Sequence, residues 1–307
     1  LSDFSEMQNI PKALRDLLQT HFIINQISIH SEKQSSDKTI KFVFSLSDKQ
    51  FTEGVLIPSD NRITACISSQ TSCPLGCKFC ASGKIKHGRN LEMYEIYDQA
   101  FLLNQKSREY FDRYISNIVI MGIGEPFLNY HNVIHTIKTI TGLWEWSASR
   151  ITVSTAGITE GIYQLSDEKL NVKLAVSLHS ANQKKRDYIM PVSKKYPLNQ
   201  LKLCIKDYSE SSKHPVTLEY MLLKDFNDSI KDAKELLQFC QGINVKINLI
   251  EYNRINDSEF DKSEKDKTQR FIKYLEQHKI NVTIRHSKGD DIQAACGQLA
   301  NKLSTEN

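Results

Sequence analysis

The sequence lacks any apolar run long enough to span a bilayer, and it contains no recognisable secretory signal. It also lacks the cysteine spacing of a disulfide-bonded scaffold, because its seven cysteines are an odd number and are unevenly distributed. Cysteines of this kind are typical of a reducing compartment, so we expect a cytoplasmic protein with no membrane partner. The first residue is Leu1 rather than Met, and we therefore expect a fragment or a processed chain.

The composition is that of a globular protein with a mild excess of positive charge. The 307 residues are 40% hydrophobic and 25% charged, which is enough for one large α/β domain with a small appendage. The net charge is +4 at pH 7, which permits a nucleic-acid partner without requiring one. Basic clusters at 84–89, 184–186 and 194–195 are interpreted either as solvated surface or as phosphate contacts.

Three of the seven cysteines lie close together in the chain. Cys73, Cys77 and Cys80 form a C-x3-C-x2-C triplet, and the aromatic residue Phe79 directly precedes the third cysteine. A cubane [4Fe–4S] cluster normally has four thiolate ligands, so three thiolates leave one iron open. This triplet is the usual mark of radical S-adenosylmethionine (SAM) enzymes, in which the open iron binds the amino and carboxylate groups of SAM.

Two alternatives to a cluster are considered for the triplet. A structural zinc site needs four ligands, commonly from two C-x2-C knuckles, and the sequence has no second knuckle. Three unrelated core cysteines are also possible, although Pro74, Gly76 and Lys78 between them make a poor core. Cys204 and Cys240 lie on apolar helical stripes and are interpreted as core residues.

The periodicity divides the chain into two parts. Residues 1–60 predict a small α+β extension, with one amphipathic helix at 4–22 and strands at 27–30, 39–46 and 51–57. Residues 61–307 alternate predicted strands with predicted helices, which favours a parallel sheet with helices outside. Strands are predicted at 62–67, 115–121, 150–155, 172–178, 217–223, 246–251 and 281–285. Helices are predicted at 92–110, 131–141, 159–165, 198–209, 230–241 and 265–278. Periodicity alone leaves open a full barrel, a partial barrel or an open doubly wound sheet.

Small or polar residues follow most of these strands. In βα barrels the chemistry collects at the C-terminal ends of the strands, so these residues are expected to share one rim. After the triplet, the residues in question are Gly124 and Glu125 behind the second strand, Ser154 at the third, Ser177, Leu178 and His179 at the fourth, and Asn253 behind the sixth.

At this point the sequence resembles the RlmN/Cfr family of radical SAM RNA methyltransferases. The matching stretches are C-x-S-S-Q beginning at Cys66, CKFC at 77–80, RNL at 89–91, MGIGEP at 121–126, VSTAG at 153–157, SLH at 177–179, MP at 190–191 and GDDIQAACGQL at 289–299. The resemblance implies an α/β fold, a radical SAM partial (βα)6 barrel at 61–307 behind the α+β extension. It also implies that residues 1–60 include a truncated part of an RNA-binding region.

The resemblance further implies a mechanism with two molecules of SAM. Cys296 takes a methyl group from the first SAM, and the reduced cluster cleaves the second to a 5′-deoxyadenosyl radical. This radical removes a hydrogen atom from the S-methyl group, and the resulting methylene radical adds to the adenine carbon. Cys66 assists removal of the ring proton and closes a disulfide with Cys296, which must then be reduced. Glu53 matches a carboxylate assigned as a proton acceptor.

The same resemblance implies ligands and partners. Gly124, Glu125, Ser154, Ser177, Leu178, His179 and Asn253 are expected to bind SAM, and Cys73, Cys77 and Cys80 to bind the [4Fe–4S] cluster. The expected substrate is C2 of an adenine in 23S rRNA, with tRNA as a second substrate. An electron donor such as flavodoxin or ferredoxin is expected to reduce the cluster.

Two other functions are kept as alternatives. A Cfr-type enzyme would methylate C8 of adenine and confer ribosomal antibiotic resistance, although Pro126 and Asp290 favour the C2 enzyme. A non-enzymatic iron–sulfur protein that binds RNA or senses redox state would need only the cluster and a basic surface. The presence of both Cys66 and Cys296 argues against that third function.

Overall fold

All ten strands that we describe form one sheet in which the order of the strands follows the chain. The structure is a computed structural model, and it describes residues 3–22, 24, 27–85 and 87–300. The strands are β1 (Ser28–Gln34), β2 (Ile40–Ser45), β3 (Phe51–Pro58), β4 (Ile63–Ile67), β5 (Asn117–Ile120), β6 (Ile151–Thr155), β7 (Lys173–Ser177), β8 (Val216–Leu222), β9 (Val245–Glu251) and β10 (Val282–Arg285). The helices are α1 (Lys12–His21), α2 (Met93–Phe111), α3 (Tyr130–Leu143), α4 (Thr159–Asp167), α5 (Gln183–Ile189), α6 (Leu198–Ser211), α7 (Ile230–Cys240) and α8 (Lys265–Gln277).

The direction of pairing changes at β4. From β1 to β4 the neighbouring strands are antiparallel, and from β4 to β10 every neighbouring pair is parallel. Because a helix follows each parallel strand up to β9, the described part of the chain contains six βα units and a final strand. The predicted α/β architecture, a radical SAM partial (βα)6 barrel with a small N-terminal α+β extension, is confirmed. The boundary near residue 60 stays a prediction, and the extension's strands continue the barrel sheet.

The single N-terminal helix predicted at 4–22 is wrong. A short 3-10 turn at Phe4–Glu6 is separated from α1, and Pro11 is the residue directly before α1 begins. Proline lacks a backbone N–H, and its ring disfavours helical dihedrals in the preceding residue, so a helix cannot run through Ile10 and Pro11 without strain. The stripe of Leu14, Leu17 and Leu18 suggested amphipathicity, but α1 buries none of its residues.

The core lies between the sheet and its outer layer of helices. In β2 the residues alternate, with Ile40, Phe42 and Phe44 buried on one face. In α2 the buried residues Ile96, Ala100 and Leu103 recur at helical spacing. The short helix α5 was not predicted, because seven residues rich in Lys and Arg show no apolar stripe. Among the described residues, no helix has both the length and the apolar character that crossing a membrane requires.

One close contact between a helix and a loop fixes the chain after β5. A Cβ atom built on Gly161 in α4 would lie 2.5 Å from the Phe127 ring, so this position has no room for a side chain. Phe127 lies two residues after the buried Glu125, in the 3-10 turn that begins at Pro126. The glycine therefore lets α4 pack directly against the segment that carries Glu125.

We predict that Gly161→Ala destabilises the protein by about 1–2 kcal/mol. Overpacking a dense contact typically costs about 1–3 kcal/mol, which exceeds the gain of at most about 1 kcal/mol from replacing glycine in a helix. Gly142→Ala is the matched control, because nothing lies within 4 Å of a Cβ at this helical position. Urea unfolding should move the midpoint down for Gly161→Ala and slightly up for Gly142→Ala. Equal midpoints for the two variants would contradict the packing argument.

Candidate active site

The three clustered thiols open into one cavity at the C-terminal rim of the parallel strands. Cys73, Cys77 and Cys80 all line it, and we call it the triplet cavity. The loop that carries them folds back tightly, since a Cβ on Gly83 would lie 3.1 Å from the Cα of Gly76. Gly76 itself has a φ of +63°, a left-handed conformation that glycine adopts without penalty. The three cysteines therefore lie at the rim where the sequence also places the later strand ends.

Burial is the main influence on the three thiols. It raises the pKa of Cys73 to about 12 and raises the pKa of Cys77 and of Cys80 above the ordinary thiol value. A neighbouring cysteine contributes to each of these increases: Cys80 for Cys73 and Cys77, and Cys296 for Cys80. Thiolates at these positions need a compensating positive charge, which coordinated iron provides.

The donor set fits a cluster better than a single tetrahedral ion. Within the described ranges, no three His, Cys, Asp or Glu side chains converge closely enough to hold one metal ion. In a cubane cluster each thiolate binds a different iron, so the sulfurs surround the cluster rather than one point. Three thiols around a shared cavity therefore match the cluster ligand set, with one iron left open.

Glu125 is held beside the triplet with its carboxylate fully engaged. One carboxylate oxygen accepts the N–H of Phe127 at 3.1 Å, and the other accepts the N–H of Ala156 at 2.7 Å. Its own N–H donates to the side chain of Gln70 at 2.8 Å, and Gly124 before it adopts a φ of +110°. Burial raises the pKa of Glu125 to about 7, against an ordinary value of 4.5. Gly124 and Glu125 both line the triplet cavity, as predicted.

Ser154, Ser177 and His179 also reach the triplet cavity, whereas Leu178 does not. Leu178 is fully buried in the main core, and its backbone N–H donates to the Glu219 carbonyl at 3.0 Å. His179 Nδ1 accepts the N–H of Met221 at 3.0 Å. Burial lowers the pKa of His179 to about 3, so the ring is neutral at physiological pH.

A second cavity adjoins the first, and Cys66 lines only this one. We call it the Cys66 cavity; its wall also includes Ile57, Leu299 and the exposed side chains of His286 and Lys288. Both cavities share part of their lining, and Cys296 belongs to the shared part. Burial, with a smaller contribution from the nearby Cys296, raises the pKa of Cys66 to about 12. Cys66 and Cys296, predicted to act as a pair, are therefore neighbours although 230 residues separate them.

Two other predicted site residues lie outside the triplet cavity. Asn253 lines the Cys66 cavity instead, and its side-chain amide donates to the Cys296 carbonyl at 3.3 Å. Glu53 is buried on β3 and belongs to the lining of neither cavity. Its carboxylate pairs with Lys41 at 3.6 Å and accepts the N–H of Ala300 at 3.1 Å.

Two charged residues in the wall were missed by sequence reasoning. Arg285 lines both cavities, and its pKa is raised chiefly by Cys296 and then by Glu219 and Cys66. Glu219 is buried in the triplet cavity, where it accepts the Asn248 side-chain N–H at 2.7 Å. Arg285 ends β10, so the rule that strand ends carry polar residues would have found it. The sequence signal for Glu219 was the presence of a carboxylate inside an otherwise apolar strand, β8.

The interpretation of residues 184–186 as solvated surface or phosphate contacts is wrong for Arg186. Its side chain is fully buried and donates to the carbonyls of Ala156, Ser177 and Leu178 at 2.7–3.3 Å. Burying a charge costs several kcal/mol, and three charge-assisted hydrogen bonds at about 1.5–3 kcal/mol each offset that cost. Arg186 therefore ties together the ends of β6 and β7 beneath the triplet cavity. Lys86, in the basic cluster at 84–89, lies outside the described residues.

Comparisons with known proteins support the same family as the sequence motifs. The family model of the radical SAM superfamily matches residues 67–240. A probable dual-specificity RNA methyltransferase RlmN from Cytophaga hutchinsonii is 48% identical over 302 residues, covering 97% of this chain and 82% of that protein. A protein of the same description from Christiangramia forsetii is 46% identical over 302 residues, covering 97% of this chain and 86% of that protein.

A solved structure matches nearly the whole chain. The crystal structure of a radical SAM methyltransferase from Sphaerobacter thermophilus superposes with a TM-score of 0.94 at 36% identity, covering 98% of this chain and 89% of that one. The hydrogenase maturase HydG shares the fold at 15% identity, with a TM-score of 0.55 and coverage of 78% of this chain and 56% of that one. Superfamily membership brings a [4Fe–4S] cluster and SAM as cofactors. The chain belongs to the radical SAM superfamily and, within it, to the RlmN family.

Proposed function

We propose that this protein methylates C2 of an adenine in 23S rRNA, and also in tRNA, with the methyl group carried on Cys296. The observation that supports this most is the position of Cys296 in the wall shared by the two cavities. A carrier thiol must meet a methyl donor on one side and the acceptor base on the other. The relatives named as probable dual-specificity RNA methyltransferases support the choice of RNA as substrate.

The triplet cavity is proposed to hold both cofactors. Cys73, Cys77 and Cys80 would bind the cluster. One SAM would supply a methyl group, and a second SAM, cleaved with an electron from the cluster, would supply a 5′-deoxyadenosyl radical. Gly124, Glu125, Ser154, Ser177 and His179 would bind SAM, because they offer hydroxyls, a carboxylate, backbone groups and a neutral ring around the same space. Neither Leu178 nor Asn253 lines this cavity. Their predicted contacts with SAM stay predictions.

The Cys66 cavity is proposed to hold the adenine. Its apolar side chains suit the face of a purine, and the exposed His286 and Lys288 suit the flanking backbone of RNA. An adenine within a helical stack cannot reach this space, so the target base must be in a loop or flipped out of its stack. Cys66 and Cys296 would both act on the base from the wall of this cavity, which the triplet cysteine Cys80 also lines.

The predicted disulfide between Cys66 and Cys296, the proton-acceptor role of Glu53 and reduction by flavodoxin or ferredoxin all stay predictions. All seven cysteines are free thiols. Because cluster assembly and thiol turnover need reduced cysteines, we also propose that the protein works in a reducing compartment, the cytoplasm.

The central experiment is nucleoside analysis of RNA after reaction. With a reconstituted cluster, SAM and dithionite, we expect 2-methyladenosine in digested 23S rRNA and its loss in Cys296→Ala. Cys204→Ala is the control, because Cys204 is buried on α6 away from both cavities. 8-Methyladenosine without 2-methyladenosine would refute C2 as the target. Absence of 5′-deoxyadenosine from cluster-loaded protein would favour the redox sensor instead.

A second prediction concerns the cluster ligands. Replacing Cys73, Cys77 or Cys80 with Ala should lower the iron bound after anaerobic reconstitution from about four atoms per chain to a small fraction, because one thiolate anchors each of three irons. Iron analysis and the absorbance of the cluster measure this directly. Cys240→Ala should keep its iron, since Cys240 lies in the main core. Full iron loading in all three triplet variants would mean that other residues hold the metal.

A third prediction follows from the raised pKa of Glu125. The unfolded chain loses this proton near pH 4.5, whereas the folded cluster-free protein keeps it until about pH 7. The stabilisation is therefore complete below pH 4.5 and is lost as the pH rises to 7, a total of about 3 kcal/mol. The free energy of unfolding of the wild type should fall by that amount relative to Glu125→Gln over this interval. Parallel pH profiles for the two proteins would show that the pKa of Glu125 is not raised.

A further inference from the structure

Cys296 lies on a segment, residues 289–300, that has little regular structure of its own. Its only regular element among the described residues is the 3-10 turn Asp290–Ile292. Gly289, Gln293 and Gly297 adopt φ values of +70°, +56° and +83°. No continuous helix or strand ladder can therefore fix the position of Cys296, and contacts with other parts of the chain must do so.

The middle of the segment is held by loops at the rim. The Ala81 N–H donates to the Gly297 carbonyl at 2.7 Å, and the Ser82 hydroxyl donates to the Leu299 carbonyl at 2.6 Å. Both donors directly follow Cys80, so the carrier cysteine and the triplet are tied to each other. The start of the segment is held by the turn between β1 and β2, where the Gly289 N–H donates to Asp37 at 3.0 Å and the Ser35 hydroxyl donates to Asp291 at 2.6 Å. The side-chain amide of Asn253 donates to the Cys296 carbonyl at 3.3 Å.

Lys41 and Glu53 hold the backbone on both sides of Cys296. Lys41 Nζ donates to the Gln293 carbonyl at 3.3 Å and lies 3.6 Å from a carboxylate oxygen of Glu53. The other oxygen of Glu53 accepts the N–H of Ala300 at 3.1 Å. One ion pair therefore contacts the chain three residues before Cys296 and four residues after it.

Strand pairing places the two charges together. Lys41 is opposite Val55, and Glu53 is opposite Val43, so Lys41 and Glu53 are diagonal neighbours on one face of the β2–β3 ladder. Their side chains are only 16% and 4% exposed, which makes the pair costly to break from one side. The opposite face of β2 carries the aromatic core residues Phe42 and Phe44, so the ladder itself is rigidly packed.

We propose that Lys41 and Glu53 are positioning residues, an ion-pair clasp that joins the backbone at Gln293 to the backbone at Ala300 and holds Cys296 in the wall between the two cavities. The inference rests on the proposed function for the meaning of that position. Neither residue lines the triplet cavity or the Cys66 cavity, so the clasp acts through the backbone of the segment and not by touching a substrate. It also gives Glu53 a task that is distinct from accepting a proton.

The test compares four variants of the full chain. Lys41→Met removes the cation and the donor, Lys41→Arg keeps both, and Glu53→Gln keeps an acceptor for Ala300 but loses the charge. Lys138→Met is the matched control, since it breaks an ion pair with Glu168 at 2.8 Å that does not touch the segment. Two quantities are measured: hydrogen exchange of a peptide covering residues 289–300, and the ratio of 2-methyladenosine to 5′-deoxyadenosine.

We expect faster exchange in this peptide for Lys41→Met and Glu53→Gln, with exchange in β7 unchanged as a check on folding. Misplacement of a reacting group by about 1 Å can cost up to about a hundredfold in rate. The coupling ratio in Lys41→Met should therefore fall by about tenfold or more while 5′-deoxyadenosine is still formed. Lys41→Arg should restore the ratio to within about threefold of the wild type, and Lys138→Met should behave as the wild type.

Several outcomes would overturn the clasp. If Lys41→Met shows normal exchange and normal coupling while Glu53→Gln forms no product, Glu53 acts as a proton acceptor and not as part of a clasp. If Lys41→Met does not fold, exchange in Glu53→Gln decides the question, and wild-type exchange there refutes the proposal. If the wild type forms no 5′-deoxyadenosine, the proposed function fails. In that case hydrogen exchange still tests the clasp. Faster exchange of the 289–300 peptide in Lys41→Met and Glu53→Gln supports it, and unchanged exchange refutes it.

Discussion

Parallel pairing from β4 to β10 is the constraint on which the site depends. Parallel strands with helical crossovers bring every C-terminal strand end to one rim, whatever the sequence distance between them. The triplet loop after β4, Glu125 after β5, Ser154 in β6 and Ser177 in β7 meet at one cavity for this reason. No contact between neighbouring residues in the chain could assemble such a set.

Burial and electrostatics then adapt that rim to its cofactors. The cavity walls raise the pKa of Cys73 to about 12 and of Glu125 to about 7, and they lower the pKa of His179 to about 3. All three shifts favour the neutral form of the group, because burial penalises charge. A bound cluster and a sulfonium ligand bring positive charge into this space, so the site is suited to being occupied.

The sequence predicted the parts of this structure that follow from local patterns. Hydrophobic alternation located both ends of each strand of the parallel sheet to within two residues, since each is bounded by polar turns. The break at Pro11 was missed because the leucine stripe was given more weight than the missing N–H. The burial of Arg186 was unpredictable from its neighbours, since Lys184 and Lys185 make the cluster resemble a surface. Its three carbonyl acceptors come from β6 and β7 and their ends, and only the folded sheet brings them together.

The position of Cys296 also could not be predicted from local patterns, and it explains the role of the N-terminal strands. A motif identifies the cysteine, but the contacts that hold its segment include residues more than 200 positions away in the chain. The sequence predicts an appendage at 1–60, yet β2 and β3 continue the barrel sheet and present Lys41 and Glu53 to the segment that carries Cys296. Since that segment has little backbone ladder of its own, the extension supplies the rigid surface that it lacks. The barrel holds the triplet cavity, whereas the junction between the two cavities requires the extension as well.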